Sequence, residues 1–135
     1  MRYMALDLGS QYIGIALSDT LGMIARPLKV IRRTSRVNDY KIYNQLVVEY
    51  NVQAIIVGLP FNMDGSEGRQ AKWVRDYIQE FSQTTTIPIT LWDERLTTEM
   101  ASEILRDNNK QPTKANIDAV AAAVILQSYL DTHAA

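Results

Sequence analysis

The chain has 135 residues, 47% of them hydrophobic, and its 14 basic and 15 acidic side chains leave a net charge of −1. That is the size of one ordinary domain around one core, spanning 1–135, and the near-neutral balance excludes a protein that grips nucleic acid with its whole surface. There is no cysteine, which excludes thiol nucleophiles, disulfides and zinc–thiolate sites, and the sole histidine, His133, lies close to the carboxyl end, where a solvated tail is expected rather than catalysis.

The amino end carries no basic segment followed by an apolar run and a small-residue cleavage site, and no apolar stretch is long enough to span a bilayer. The expectation is a soluble, cytoplasmic protein without membrane contact.

In chain order, residues 2–8 and 12–19 read as two strands joined at Gly9-Ser10-Gln11-Tyr12, a turn that suits a hairpin. RPLKVIRR (26–33) reads as a third strand after a turn at Leu21-Gly22. A first helix is expected to begin near Asn38 with Ile42, Leu46, Val47 and Tyr50 on its apolar face, and QAIIVGLP follows as a short, continuously apolar strand. Ser66 is the expected N-cap of a second helix, in which Ala71, Val74, Ile78 and Phe81 recur at helical spacing. PITLWDE is a fifth strand, a third helix is expected over 98–106, and Ile117 to Leu130 forms a last helix with Asn116 as N-cap. A three-stranded antiparallel meander followed by βαβ units predicts a mixed α/β sheet.

Asp7 is the anomaly in this pattern. It sits between Ala5-Leu6 and Leu8-Gly9 in a run that otherwise reads as buried, where an unpaired carboxylate is costly. It either caps the turn into Gly9-Ser10 or faces a compensating charge. Asp93 and Glu94 end the fifth strand. Neighbours on a strand point to opposite faces, so one of the two is expected to face a given cleft, and the pattern leaves open which. Asp118, as the second residue of an Ala-rich helix, suits the positive end of the helix dipole. Arg26, Lys29, Arg32, Arg33 and Arg36 form a basic run without an acid, either a solvated sheet edge or a strip that contacts phosphates. In GLPFNMDGSEG, the Asn62-Asp64-Gly65 turn runs into a helix N-terminus, an arrangement compatible with a phosphate cradle.

Four blocks, ALDLGSQYIGIALSD (5–19), IIVGLPFNMDGSEGRQA (55–71), DERLTTEMA (93–101) and IDAVAAAVILQSYL (117–130), resemble the YqgF/RuvX family of Holliday-junction-resolvase-like nucleases along nearly the whole chain. The resemblance implies a ribonuclease H-like fold, a five-stranded mixed sheet with helices on both faces. It implies that Asp7, Asp118 and an acid of the Asp93/Glu94 pair are catalytic. Of these, Asp7, Glu94 and Asp118 are the expected ligands of Mg²⁺ or Mn²⁺, which takes oxygen ligands and needs neither Cys nor His. Gly9, Ser10, Asn62, Arg69, Arg95, Arg32 and Arg33 are the expected substrate contacts. The fourth strand ends in Gly58-Leu59-Pro60, where ribonuclease H and resolvase enzymes place an acid, so the number of metal ions stays open. This is also the pattern of the family itself.

The implied activity is endonucleolytic maturation of the 5′ end of the 16S ribosomal RNA precursor, on structured RNA, by a monomer or weak homodimer. Holliday junction resolution on branched DNA is the alternative, and it calls for a dimer that cuts symmetrically. A non-catalytic RNA-binding ribosome-assembly or transcription factor is the alternative of another class. DLGSQYIGIAL also resembles the phosphate-binding hairpin of the actin, hexokinase and Hsp70 superfamily, but those proteins close two such domains around nucleotide and this length supplies one.

Overall fold

The computed structural model describes residues 1–94 and 114–133. Three strands open the chain, β1 (Tyr3–Leu8), β2 (Tyr12–Ser18) and β3 (Ala25–Arg32). They are followed by α1 (Arg36–Glu49), β4 (Ala54–Leu59), α2 (Arg69–Ser82), β5 (Ile89–Asp93) and a long last helix, α3 (Lys114–His133). The helix expected over 98–106 lies outside the described residues, as does Arg95.

The strands form one sheet in the order β3-β2-β1-β4-β5. β2 is antiparallel to β1 and β3, whereas β4 is parallel to β1 and β5. β4 is buried at every position because it is covered on both faces, which is why it reads as an unbroken apolar run. β3 is an edge strand. Its Pro27 and its exposed Arg26, Lys29 and Arg32 discourage a further strand from pairing there.

Alternation along the strands divides the core in two. Met4, Leu6, Leu8, Ile13, Ile15, Ile55, Val57 and Leu59 face α1 and α2, where Tyr43, Leu46, Val74, Tyr77 and Phe81 complete the larger cluster. Ala5, Ala16 and Ile56 face α3, against Ala122, Ile125, Leu126 and Leu130. Fully burying a side chain such as Leu6 or Ile55 contributes roughly 1.5–3 kcal/mol. Small residues on the second face let α3 lie close to the sheet. This accounts for a last helix that is alanine-rich where it crosses β1 and β2.

Three helix ends differ from expectation. α1 starts at Arg36, capped by Ser35, whose side chain accepts from Asn38 N–H at 3.1 Å. Its buried face is Asp39, Tyr40, Tyr43 and Leu46, while Ile42, Val47 and Tyr50 are only partly buried. Gly68, not Ser66, precedes α2; Ser66 instead bonds Asp64 and Asn62 within the preceding loop. α3 starts at Lys114, so Asn116 lies inside it and does not cap it.

The tyrosines of α1 and α2 meet around one buried carboxylate. Tyr77 OH donates to Asp39 Oδ2 at 3.0 Å and lies 2.8 Å from Tyr43 OH, and Tyr40 OH donates to Tyr77 O at 2.9 Å. Burial pushes the Tyr77 and Tyr43 hydroxyls well above the ordinary phenol range, so they stay neutral and able to donate. No helix among the described residues is long and apolar enough to cross a membrane.

Candidate functional site

β1, β4 and β5 run parallel, so their carboxyl ends share one edge of the sheet, where open α/β sheets bind ligands. Asp7 is the penultimate residue of β1 and points to the α3 face, as Ala5 does. It lies between two glycines. Gly14 is its partner on β2, and the parallel register that sets Leu6 beside Val57 brings Gly58 to its other side.

A glycine inside a strand marks a close approach, and both of these positions are occupied by something else. A Cβ on Gly14 would collide with the main-chain carbonyl of Asp118 in α3. A Cβ on Gly58 would lie 2.6 Å from Ile125 Cδ1 and 2.7 Å from Glu94 Oε2. The glycines thus admit the Glu94 carboxyl on one side of Asp7 and the Asp118 segment on the other.

Glu94 immediately follows β5. Its N–H donates to Leu59 O at 3.2 Å, adding one bond to the β4–β5 ladder while its side chain turns to Asp7. Asp93 is aligned with Leu59 on the α1–α2 face and is exposed. The neighbouring acids therefore face opposite ways, and Glu94 is the one beside Asp7. The end of β4 carries no acid, and the Glu94 side chain reaches from the end of β5 across the space that Gly58 leaves.

The two carboxyl groups are hydrogen-bonded, with Glu94 donating to Asp7. Glu94 is pushed up to about 9, first by burial, then by the Asp7 charge and the shared hydrogen bond, and last by Asp93. Burial also raises Asp7, against the lowering effect of its bond from Glu94. At neutral pH Glu94 therefore keeps its proton, shared with Asp7 through the hydrogen bond. Two carboxyl groups crowded in partly buried surroundings, with no cationic side chain among the described residues perturbing either, are a donor set suited to a hard cation, which would replace that proton.

Asp118 is the fifth residue of α3 as the structure draws it, beyond the first turn, so the simple role of complementing the helix dipole does not account for it. Its Oδ2 is buried, and its main chain rests on Gly14, the strand partner of Asp7. Among the described residues no three acidic or histidine side chains close into a preformed ligand set. The fold supplies a tight pair and a third acid on the neighbouring helix.

The other expected contacts are dispersed. Ser10 and Arg32 are exposed, Gly9 is half-buried, and Arg69 is exposed as the first residue of α2. Asn62 is held by the loop itself, with its N–H donating to Ser66 O at 2.8 Å and its Nδ2 to Ser66 Oγ at 3.0 Å. Arg33 faces inward onto the β1–β2 turn. Arg36, from the same basic run, pairs with Asp76 and Glu80 at 2.9 and 2.7 Å. Sequence reasoning missed the site-shaping role of Gly14 and Gly58. The signal was glycine inside the otherwise β-branched or apolar strands YIGIALS and AIIVGL.

A family model described as RuvX, Holliday junction resolvase, matches residues 1–132. A "Putative pre-16S rRNA nuclease" of Thermoanaerobacter pseudethanolicus is 44% identical over 135 residues, covering 98% of this chain and 97% of that protein. One of the same name from Desulforamulus reducens is 45% identical over 136 residues, covering 99% of each. Among solved structures, T. thermophilus RuvC in complex with a Holliday junction substrate matches with a TM-score of 0.64 at 13% identity, over 100% of this chain and 98% of that one. At that identity it is the fold that is shared, the ribonuclease H-like arrangement of sheet and helices.

Proposed function

The chain belongs to the RuvX (Holliday junction resolvase) family, and on that footing we propose that it is a divalent-metal-dependent endonuclease on structured nucleic acid, processing the 5′ end of the 16S ribosomal RNA precursor. The observation that supports it most is the Asp7–Glu94 pair at the carboxyl ends of parallel strands, with glycines on both sides keeping the space open.

Asp7, Glu94 and Asp118 are the residues that would hold Mg²⁺ or Mn²⁺. Bound there, the cation supplies positive charge to the scissile phosphate and lowers the pKa of the attacking water. Asp7 gives this site a fixed point, because the central strand that carries it is hydrogen-bonded on both edges. Glu94 would hold the cation as the carboxylate, with its proton released to solvent. Arg32 and Lys29, exposed on β3, attract the phosphate backbone, and Arg69 does so from the start of α2. Products carry a 5′-phosphate, and the work is cytoplasmic, where ribosomal RNA is matured.

The description of the family model favours a second reading, resolution of four-way DNA junctions, which calls for two copies cutting symmetrically. A monomer or weak homodimer suits the RNA reading. Cleavage of a labelled 16S precursor leader and of a four-way DNA junction, side by side in Mg²⁺ or Mn²⁺, separates the two. Cutting of the leader alone, lost in Asp7→Asn, supports the first reading. Paired symmetrical cuts in the junction would support the second, and binding without cutting would leave an assembly factor.

A further inference from the structure

Arg33 belongs to the basic run, yet its guanidinium is turned into the protein. Nη1 donates to two main-chain carbonyls of the β1–β2 turn, Gly9 O at 3.0 Å and Ser10 O at 3.2 Å. The guanidinium carbon lies 4.2 Å from the centre of the Trp73 ring and 5.8 Å from that of Tyr77, and Nε is buried with no hydrogen-bond partner among the described residues. The main chain is pinned as well. Arg33 N–H donates to Gln11 O at 2.8 Å, and Thr34 N–H donates to Asp39 Oδ1 at 3.1 Å. Asp39 is the carboxylate at the centre of the buried tyrosine cluster. One end of this arrangement is therefore fixed in the α1–α2 core, and the other grips the turn that begins two residues after Asp7.

A trans peptide unit is planar, so each N–H points away from the carbonyl of the preceding residue. With Gly9 O and Ser10 O drawn toward Arg33, the N–H groups of Ser10 and Gln11 are turned to the opposite side, where both residues are exposed. Neither amide donates to another group among the described residues. Two adjacent outward amides form a concavity suited to an anion.

We propose that Arg33 is a positioning residue: clamped on Trp73, it holds the Gly9 and Ser10 carbonyls from behind so that the Ser10 and Gln11 amides meet a substrate phosphate next to Asp7. The proposal rests on the nuclease reading for its substrate, a phosphodiester, but not for its geometry. A guanidinium can stack flat on the indole and donate at its edge at the same time, whereas an ammonium is a compact point charge that cannot do both.

The test uses the full chain with Arg33→Met, Arg33→Lys, Trp73→Leu and, for comparison, Arg32→Ala. Its readouts are the salt dependence of RNA binding, kcat for cleavage, and the backbone amide resonances of Ser10 and Gln11 during titration with a short RNA. Arg33→Met is expected to leave the salt slope unchanged, whereas Arg32→Ala makes it shallower by about 0.7–0.9. The two amide resonances move with RNA in the wild type but not in Arg33→Lys, and both Arg33 variants lose about a hundredfold in kcat. Trp73→Leu, which keeps the arginine and its charge, must lose the same amide response; this holds the test open if Arg33→Met fails to fold.

A slope made shallower by Arg33→Met, with activity restored by lysine, would make Arg33 a direct phosphate contact and overturn the proposal. Wild-type Ser10 and Gln11 resonances that ignore RNA would also overturn it. If the wild type does not cut while slopes and amides behave as stated, the nuclease reading fails and the role of the turn stands.

Discussion

Replacing Gly58 with alanine separates the packing of the site from its chemistry. The new methyl group would meet Ile125 Cδ1 at 2.6 Å and Glu94 Oε2 at 2.7 Å, both well inside contact distance. Neither obstacle is backbone, so the fold survives and the two side chains move. Overpacking of this kind costs about 1–3 kcal/mol. With an unfolding entropy of about 2.1 cal/mol/K per residue over 135 residues, that corresponds to a fall in Tm of about 4–10 °C. Activity suffers more, because moving a carboxyl in the site by about 1 Å costs on the order of a hundredfold. Adding Ile125→Val removes the Cδ1 obstacle but not the Glu94 one. Thermal unfolding and single-turnover cleavage of Gly58→Ala and the double variant should therefore diverge, with part of the stability returning and the activity remaining low. Wild-type cleavage in Gly58→Ala, or joint recovery of both quantities in the double variant, would refute the placement of Glu94 beside Asp7.

Three further outcomes are expected. In chelator, Glu94, raised to about 9, contributes stability that is full below the ordinary carboxylate range and is lost as pH rises toward that value, and the raised Asp7 acts in the same direction, so Tm should fall over that window. Mg²⁺ or Asp7→Asn should flatten the fall, and a flat wild-type profile in chelator counts against the crowded pair. Tyr77→Phe leaves the buried Asp39 and Tyr43 oxygens each short of a partner and should cost about 1–3 kcal/mol in urea unfolding, against no change if water replaces the hydroxyl. Arg36→Met removes an ion pair to Asp76 and Glu80 at the surface and should cost only about 0.2–1 kcal/mol, less at high salt; a loss above 2 kcal/mol would mean that this pair does more than its exposure suggests.

Much of this was legible in the sequence for reasons that are local. β4 is an apolar run because it is buried on both faces, and Asp7 stood out because a charge within such a pattern needs compensation. Strand alternation limited Asp93 and Glu94 to opposite faces. Choosing between them required the register that aligns Asp93 with Leu59, a long-range fact. The buried face of α1 was misjudged because its largest buried members are tyrosines, whose hydroxyls find partners on α2 that no single segment advertises. Arg33 was counted with its basic neighbours because charge patterning shows where cations are, not that two carbonyls and an indole surround one of them. Gly58 read as a missing acid, when it is the opening through which Glu94 reaches Asp7.

The central claim is that Asp7 and Glu94 together bind a divalent cation, and Mn²⁺ binding by calorimetry in two buffers of different ionisation enthalpy tests it most directly. The wild type should bind Mn²⁺ with release of a proton from the pair, Glu94→Gln and Asp7→Asn should lose most of the affinity and the proton release, and Asp93→Asn should retain both. Equal binding by wild type and Glu94→Gln, or loss of binding in Asp93→Asn instead, would contradict the account.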